Sequence, residues 1–252
     1  MIGFGNESPT YSVNRDMKLS IIIPAYNERR TIKELISQVQ AVTLSHLEKE
    51  ILVVDDGSTD GTRDILKNIK GIRFIFHKEN QGKGGAIKTG FQNATGDIFL
   101  IQDADLEYDP NEYGKLLAPI LSGHADVVYG SRFIGSDPHR VLYVWHYLAN
   151  KFLTTLSNIF TGLNLSDMET CYKAFRREVV DSFKDKLESK RFGIEPELTA
   201  YVGKGRFHGG SRWRVYEVGI SYYGRTYEEG KKINWKDGLA AMWHIVRFNV
   251  FK

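Results

Sequence analysis

Hydrophobic residues along this chain fall into short β-branched runs separated by longer stretches in which apolar positions recur every three or four residues. Residues 19–23 form such a run and stop at Pro24, while Ile32, Leu35, Ile36 and Val39 give residues 31–42 one apolar helical stripe. The alternation continues with strands predicted over 50–54, 72–77, 98–102 and 126–129, and helices over 60–69, 84–94 and 141–160. Strands that are apolar at consecutive positions must be buried on both faces. The pattern therefore predicts a single α/β domain with a mostly parallel central sheet flanked by helices. Ligands of such sheets sit at the carboxyl ends of the strands. The candidate site is accordingly Tyr26, Asn27 and Glu28 after the first strand, Asp55 and Asp56 after the second, and Asp103 with Asp105 after the fourth. Residues 1–17 show no periodicity and read as a flexible leader to a domain spanning 18–252.

Composition narrows the setting. A chain of 252 residues that is 42% hydrophobic and 26% charged can bury one large core and is not compositionally disordered. Cys171 is the only cysteine, so no intramolecular disulfide forms, and no basic segment with an apolar signal core opens the chain; a cytosolic location is expected. No run reaches the roughly 18 to 20 apolar residues that span a bilayer, which limits membrane contact to the peripheral kind. A net charge of +3 does not imply nucleic-acid binding. The charge is nonetheless uneven, with ten Lys and Arg against four Asp and Glu over residues 204–252, interleaved with Trp and Tyr. That segment is either a surface for anionic lipid or a solvated face backed by ordinary core aromatics. Similarly, Trp145, Tyr147, Leu148, Phe152 and Leu156 form a helix face for core, another subunit or a membrane interface.

Two carboxylates one residue apart, Asp103 and Asp105 around small Ala104, suit a hard divalent cation such as Mg²⁺ or Mn²⁺ that also binds phosphates, with Glu107 as a third oxygen donor. Solvated loop acids are the alternative. Asp55 and Asp56 either accept hydrogen bonds from a base or ribose or belong to a helix start capped by Ser58, Thr59 or Asp60. The glycine-rich residues 80–86 match neither the Walker spacing nor the Rossmann fingerprint; their glycines permit close backbone packing, and Lys83 is placed to reach nucleotide phosphates. None of the seven histidines pairs at zinc-ligand spacing, and Cys171 has no neighbouring His, so it reads as a packed side chain.

Taken in order, Pro24-Ala25-Tyr26-Asn27-Glu28, Val53-Val54-Asp55-Asp56-Gly57-Ser58-Thr59-Asp60, Asn80-Gln81-Gly82-Lys83-Gly84 and Asp103-Ala104-Asp105 resemble the motifs of family two glycosyltransferases, from about Lys18 to the C-terminus. Gly130-Ser131-Arg132, residues 167–173 and Tyr223-Gly224-Arg225-Thr226 are similar to those of enzymes that charge dolichyl or other polyprenyl phosphates. The resemblance implies a GT-A fold with a Rossmann-like nucleotide-binding half over 18–130 and an acceptor and membrane-facing half over 131–252. It implies that Pro24, Tyr26, Glu28 and Asp55 hold base and ribose, that Asp103, Asp105 and Glu107 hold Mg²⁺ or Mn²⁺ and the diphosphate, and that Arg132, Arg225 and Lys231 hold phosphate. Glu107 departs from the Gln often found in dolichyl-phosphate mannose synthases.

The implied activity is inverting hexose transfer from a sugar nucleotide, UDP-glucose first and GDP-mannose second, to dolichyl or polyprenyl phosphate at the cytosolic face of a membrane. Asp105, Arg132 and Asp167 are the catalytic candidates, with Asp167 either positioning a substrate or capping a helix, and Arg225 either binding phosphate or pairing with Glu228 or Glu229. The competing readings are a family two enzyme acting on a soluble carbohydrate or protein hydroxyl, and a sugar-nucleotide sensor without turnover. An oligomer is compatible with each.

Overall fold

In the computed structural model, which describes residues 17–135, 138, 140–141, 143–207, 209–225 and 235–252, the chain opens on strand β1 (Met17–Ala25). Apart from Met17, the leader expected over 1–17 lies outside the described residues, as do Lys231, Glu228 and Glu229. There follow α1 (Ile32–Ala41), β2 (Leu47–Asp55), α2 (Thr62–Lys67), β3 (Arg73–Phe76), α3 (Gly82–Asn93) and β4 (Ile98–Ile101). After a 3-10 turn at Pro110–Glu112 come α4 (Tyr113–Leu121), β5 (Val127–Ser131), α5 (Val144–Thr161), β6 (Lys173–Arg176), α6 (Arg177–Phe183), α7 (Ile194–Lys204), β7 (Val215–Gly219) and α8 (Trp235–Val250).

The seven strands of the described residues belong to one sheet in the order β3-β2-β1-β4-β6-β5-β7. Pairing is parallel except around β6, which runs antiparallel to both β4 and β5. Successive residues of β1 point to opposite faces. Leu19, Ile21 and Ile23 enter a core with Leu35, Ile36, Leu116 and Ile120, whereas Ile22 packs beneath α3 with Ile87 and Phe91. Helices therefore cover both sides, as consecutive apolar positions require.

Pro24 does not end β1. Pairing with β4 stops at Ile22↔Ile101, so Pro24 lies where β1 is paired on one side only, next to Val54 of β2. A residue with no backbone N–H is tolerated there. The second helix is shorter than its apolar pattern suggested, Thr62–Lys67 against 60–69. Strand β6 has no counterpart in the sequence reading, although it joins the two halves of the sheet.

Candidate active site

The strand ends converge as expected, and the loops that leave them are held in particular conformations. Leu106, between Asp105 and Glu107, has φ 62, and Asn27 has φ 53. A left-handed leucine is a steric exception that surrounding bonds must hold in place. Here Glu107 N–H donates to Asp105 Oδ1 at 3.3 Å, and Glu107 accepts from the Arg225 backbone N–H and Tyr222 hydroxyl, each at 2.9 Å. Thr31 Oγ1 joins the first and fourth strand ends by contacting Glu28 Oε2 at 2.8 Å and the Ala104 carbonyl at 2.7 Å.

Two cations divide the acidic cluster. Lys83 Nζ lies 2.8 Å from Asp103 Oδ1, 3.0 Å from Glu195 Oε1 and 2.7 Å from Cys171 Sγ. It is held there by backbone contact, because a Cβ on Gly82 (φ 83) would sit 2.1 Å from the Lys190 carbonyl oxygen and one on Gly84 2.0 Å from that of Ser189. The glycines thus serve close packing, and Lys83 meets the aspartate expected to bind metal instead of projecting alone toward phosphate. Arg225 spans the other acids, with Nη2 at 2.8 Å from Asp105 and 3.7 Å from Glu28, and Nε at 3.3 Å from Glu107.

Charge in this cluster is finely balanced. Burial works against ionised Asp103, yet Lys83 holds its carboxyl below the ordinary range. Asp105 is pushed up to about 7, first by burial and then by the charges of Asp103 and Glu107, against the pull of Arg225. Among the described residues no three His, Cys, Asp or Glu side chains converge as a ligand set. Of the expected Asp103, Asp105 and Glu107 set, Glu107 is engaged by Arg225 and Tyr222, Asp105 by Arg225 and Asp103 by Lys83. Asp103 and Asp105 remain a pair of hard oxygen donors whose crowding a dication would relieve, which is the chemistry that fits Mg²⁺ or Mn²⁺.

The adjacent aspartates after β2 behave differently. Asp56 is buried, and its carboxylate accepts from Gln81 N–H at 2.8 Å and Gly82 N–H at 2.7 Å and meets His77 Nδ1 at 2.7 Å. It clamps the glycine-rich loop, so both of its oxygens, expected to face substrate, are engaged by protein groups. Asp55 Oδ1 receives Arg63 Nε at 2.6 Å and Ser58 N–H at 3.1 Å. Its Oδ2 is buried with no hydrogen-bond partner among the described residues. A buried acceptor that protein groups leave unpaired calls for a donor from a ligand, a water or an ion. Pro24 is half-buried and Ala104 buried beside these loops, whereas Tyr26 is exposed at the rim.

On the other side of Arg225, Asp167 grips Arg132 in a bidentate pair, Nε to Oδ2 at 2.6 Å and Nη2 to Oδ1 at 2.7 Å, and accepts the Arg132 N–H at 3.1 Å. Asp167 is fully buried and caps no helix. Arg132 also lies 5.1 Å above the ring of Tyr222. A cavity of about 370 Å³ opens beside it, lined by Arg132, Phe133, Arg140, Val141, Val144 and Tyr147 together with Tyr222. Arg140 donates from Nη1 to the Gly224 carbonyl at 2.7 Å.

Three groups escaped the sequence reading. Arg140 carries no motif signal. Glu195 belongs to α7 and reaches Lys83 only through the fold. Glu169 lies within residues 167–173, where the family resemblance gives it no role; its carboxyl is pushed up to about 8 by burial and by Glu195, against Lys173 and Arg132, and its Oε1 is buried without a partner among the described residues.

The profile of "Glycosyl transferase family 2" matches residues 20–183. The chain is 27% identical over 256 residues to a UDP-N-acetylglucosamine–dolichyl-phosphate N-acetylglucosaminyltransferase of Methanococcus voltae, covering 94% of this chain and 98% of that protein. It is 32% identical to a dolichol-phosphate mannosyltransferase of Pyrococcus furiosus over 86% of this chain and 61% of that longer protein. Among solved structures, glucosyl-3-phosphoglycerate synthase of Mycobacterium tuberculosis in complex with Mn²⁺, UDP and phosphoglyceric acid superposes with a TM-score of 0.70 at 20% identity, covering 93% of this chain and 79% of that one. That likeness shows the GT-A fold. With the acidic strand ends and the sheet order, the profile match establishes that this chain belongs to glycosyl transferase family 2 and is a glycosyltransferase.

Proposed function

We propose that this enzyme transfers a hexose from a nucleotide sugar to a polyprenyl or dolichyl phosphate with inversion, at the cytosolic face of a membrane. The observation that carries the reading is the cavity beside the acidic cluster, in which two guanidinium groups, Arg132 and Arg140, share walls with Phe133, Val141, Val144 and Tyr147. Guanidinium suits a phosphate monoester. The apolar wall suits the first carbons of an isoprenoid. Relatives whose names include dolichyl-phosphate acceptors support the same chemistry.

The donor would lie along the strand ends, with Asp55 Oδ2 accepting from the base and Pro24, Tyr26 and Glu28 beside base and ribose. Asp103 and Asp105 would hold a divalent cation, which when bound supplies positive charge to the diphosphate leaving group. Lys83 and Arg225 already border those acids; Lys83 would exchange a carboxylate contact for an oxygen of the donor diphosphate, and Arg225 for one of the acceptor phosphate. An oxygen of the acceptor phosphate attacks the anomeric carbon as the bond to the diphosphate breaks, giving a β-linked product. That oxygen is anionic, so no side chain is needed as base, and rate comes from alignment and charge. Asp167 acts as a positioning residue, since its contacts fix the plane of the Arg132 guanidinium. UDP-glucose is the first donor to test and GDP-mannose the second. Residues 18–130 would serve the donor and 131–252 the acceptor and membrane, with Lys231 near the phosphate groups as the family resemblance implies.

Incubation with Mg²⁺ or Mn²⁺, a panel of UDP- and GDP-sugars and a short-chain polyprenyl phosphate tests this. Lipid-dependent release of nucleoside diphosphate is expected; donor binding without release, or release driven by soluble hydroxyl acceptors, overturns it. Arg225→Ala should raise the KM for the lipid phosphate far more than that for the donor. An equal effect on both would remove Arg225 from the acceptor site.

A further inference from the structure

The helix α5 is amphipathic in the reverse of the usual sense. Its inward face carries Thr154, Ser157 and Thr161 beside Leu153, all buried. Its outward face carries Trp145, Leu148, Phe152 and Ile159, which are 75%, 48%, 58% and 72% exposed. Steps of three, four and seven residues place these four on one stripe. A helix built to face water presents the opposite arrangement. Val144–Thr161 contains no Asp or Glu, and Lys151 is its only Lys or Arg.

A second helix extends the face. α8 packs against α5, and both pack against α7, so α5 and α8 form one outer layer. Leu239, Trp243 and Val250 of α8 are each more than half exposed. A monomer in water rarely leaves so many large apolar side chains together on one layer. Trp and Tyr, of which Tyr143, Trp145, Tyr147 and Trp243 are exposed here, favour the boundary between headgroups and acyl chains.

We propose that the outward face of α5 and α8 is a membrane-docking surface, with both helices lying in the plane of the bilayer interface. The proposal rests on the reading that the acceptor is a lipid phosphate and names how the enzyme reaches it. One observation favours a bilayer over a second copy of the chain. The cavity containing Arg132 and Arg140 is walled by Val141, Val144 and Tyr147 at the N-terminal end of α5, so it opens where the apolar stripe begins. A bilayer against the stripe sets that mouth at headgroup level, where a lipid phosphate resides, while a second protein there would obstruct its entry. The helices lie on the membrane and do not cross it: no helix among the described residues is long and apolar enough, and 18 residues extend only about 27 Å.

The test uses the full chain, phosphatidylcholine vesicles with and without phosphatidylglycerol, and no substrate. Wild-type protein should float with vesicles, with blue-shifted Trp fluorescence. The double variant Trp145→Glu, Phe152→Glu should lose about tenfold or more of its vesicle partition while its turnover of a water-soluble short-chain polyprenyl phosphate stays within about twofold. Leu121→Glu, on the exposed side of α4, should bind vesicles like wild type. The proposal is overturned if wild-type protein remains in solution, if the double variant binds vesicles equally well, or if light scattering shows a dimer that the double variant dissolves with no vesicle binding. It is also overturned if the folded double variant loses short-chain turnover. Vesicle binding without any short-chain turnover by wild type would sink the proposed acceptor and leave the docking surface standing.

Discussion

Glu169 offers a quantitative test of the buried electrostatics behind the site. Its carboxyl is pushed up from an ordinary 4.5 to about 8, because burial penalises the anion and Glu195 and Asp167 repel it, while Lys173 and Arg132 attract it. Lys173 is itself held below its ordinary value by burial. The folded state therefore keeps a proton on Glu169 that the unfolded chain releases above about pH 4.5. Between there and about pH 8 the folded state binds more protons, so stability falls as pH rises, and the loss levels off above pH 8. The separation of the two values sets a ceiling of about 5 kcal/mol; relaxation and water entry around the buried anion recover part of it, leaving about 2 to 5 kcal/mol. Glu169→Gln keeps the shape and a neutral group and should abolish that share of the slope. Thermal melts of both proteins at half-unit steps from pH 5 to 9 should show wild type losing at least about 4 to 8 °C more than the variant for about 2 kcal/mol. Parallel melting curves across the range would refute the assignment.

Further outcomes follow from the same geometry. Gly82→Ala places a Cβ 2.1 Å from the Lys190 carbonyl oxygen at a φ of 83, so it should cost about 3 kcal/mol or more in urea denaturation; an unchanged midpoint would refute the close approach. Asp167→Asn weakens the buried pair with Arg132 and should cost about 3 kcal/mol, with the KM for lipid phosphate rising while donor binding holds; a change in donor KM alone would contradict a positioning role. Asp105→Ala should abolish transfer in a protein that melts normally, and retained turnover would take the Asp103 and Asp105 pair out of the reaction.

The sequence by itself determined the alternation of strands and helices and the mostly parallel sheet. Those features depend on which residues are apolar at consecutive or helical spacing, and β4, Ile98–Ile101, is buried at every position. It also supplied the acids at three strand ends. What it did not determine is which side chain meets which. Lys83 and Asp103 are 20 residues apart, Arg132 and Asp167 35, and Arg225 and Asp105 120, so these pairings exist only once the sheet has closed the loops between them.

Asp55 and Asp56 make the point most simply. They are adjacent and chemically identical, but successive positions at a strand end project to different sides, so one binds the glycine-rich loop and the other keeps an oxygen without a partner among the described residues. The insertion of antiparallel β6 was likewise invisible in a four-residue strand, because pairing direction is set by chain topology and not by side-chain type. Apolar periodicity also marked Trp145 and Phe152 as a helix face without saying where that face points. Tertiary packing decided it, since α5 turns its Thr and Ser side inward and leaves the apolar stripe exposed.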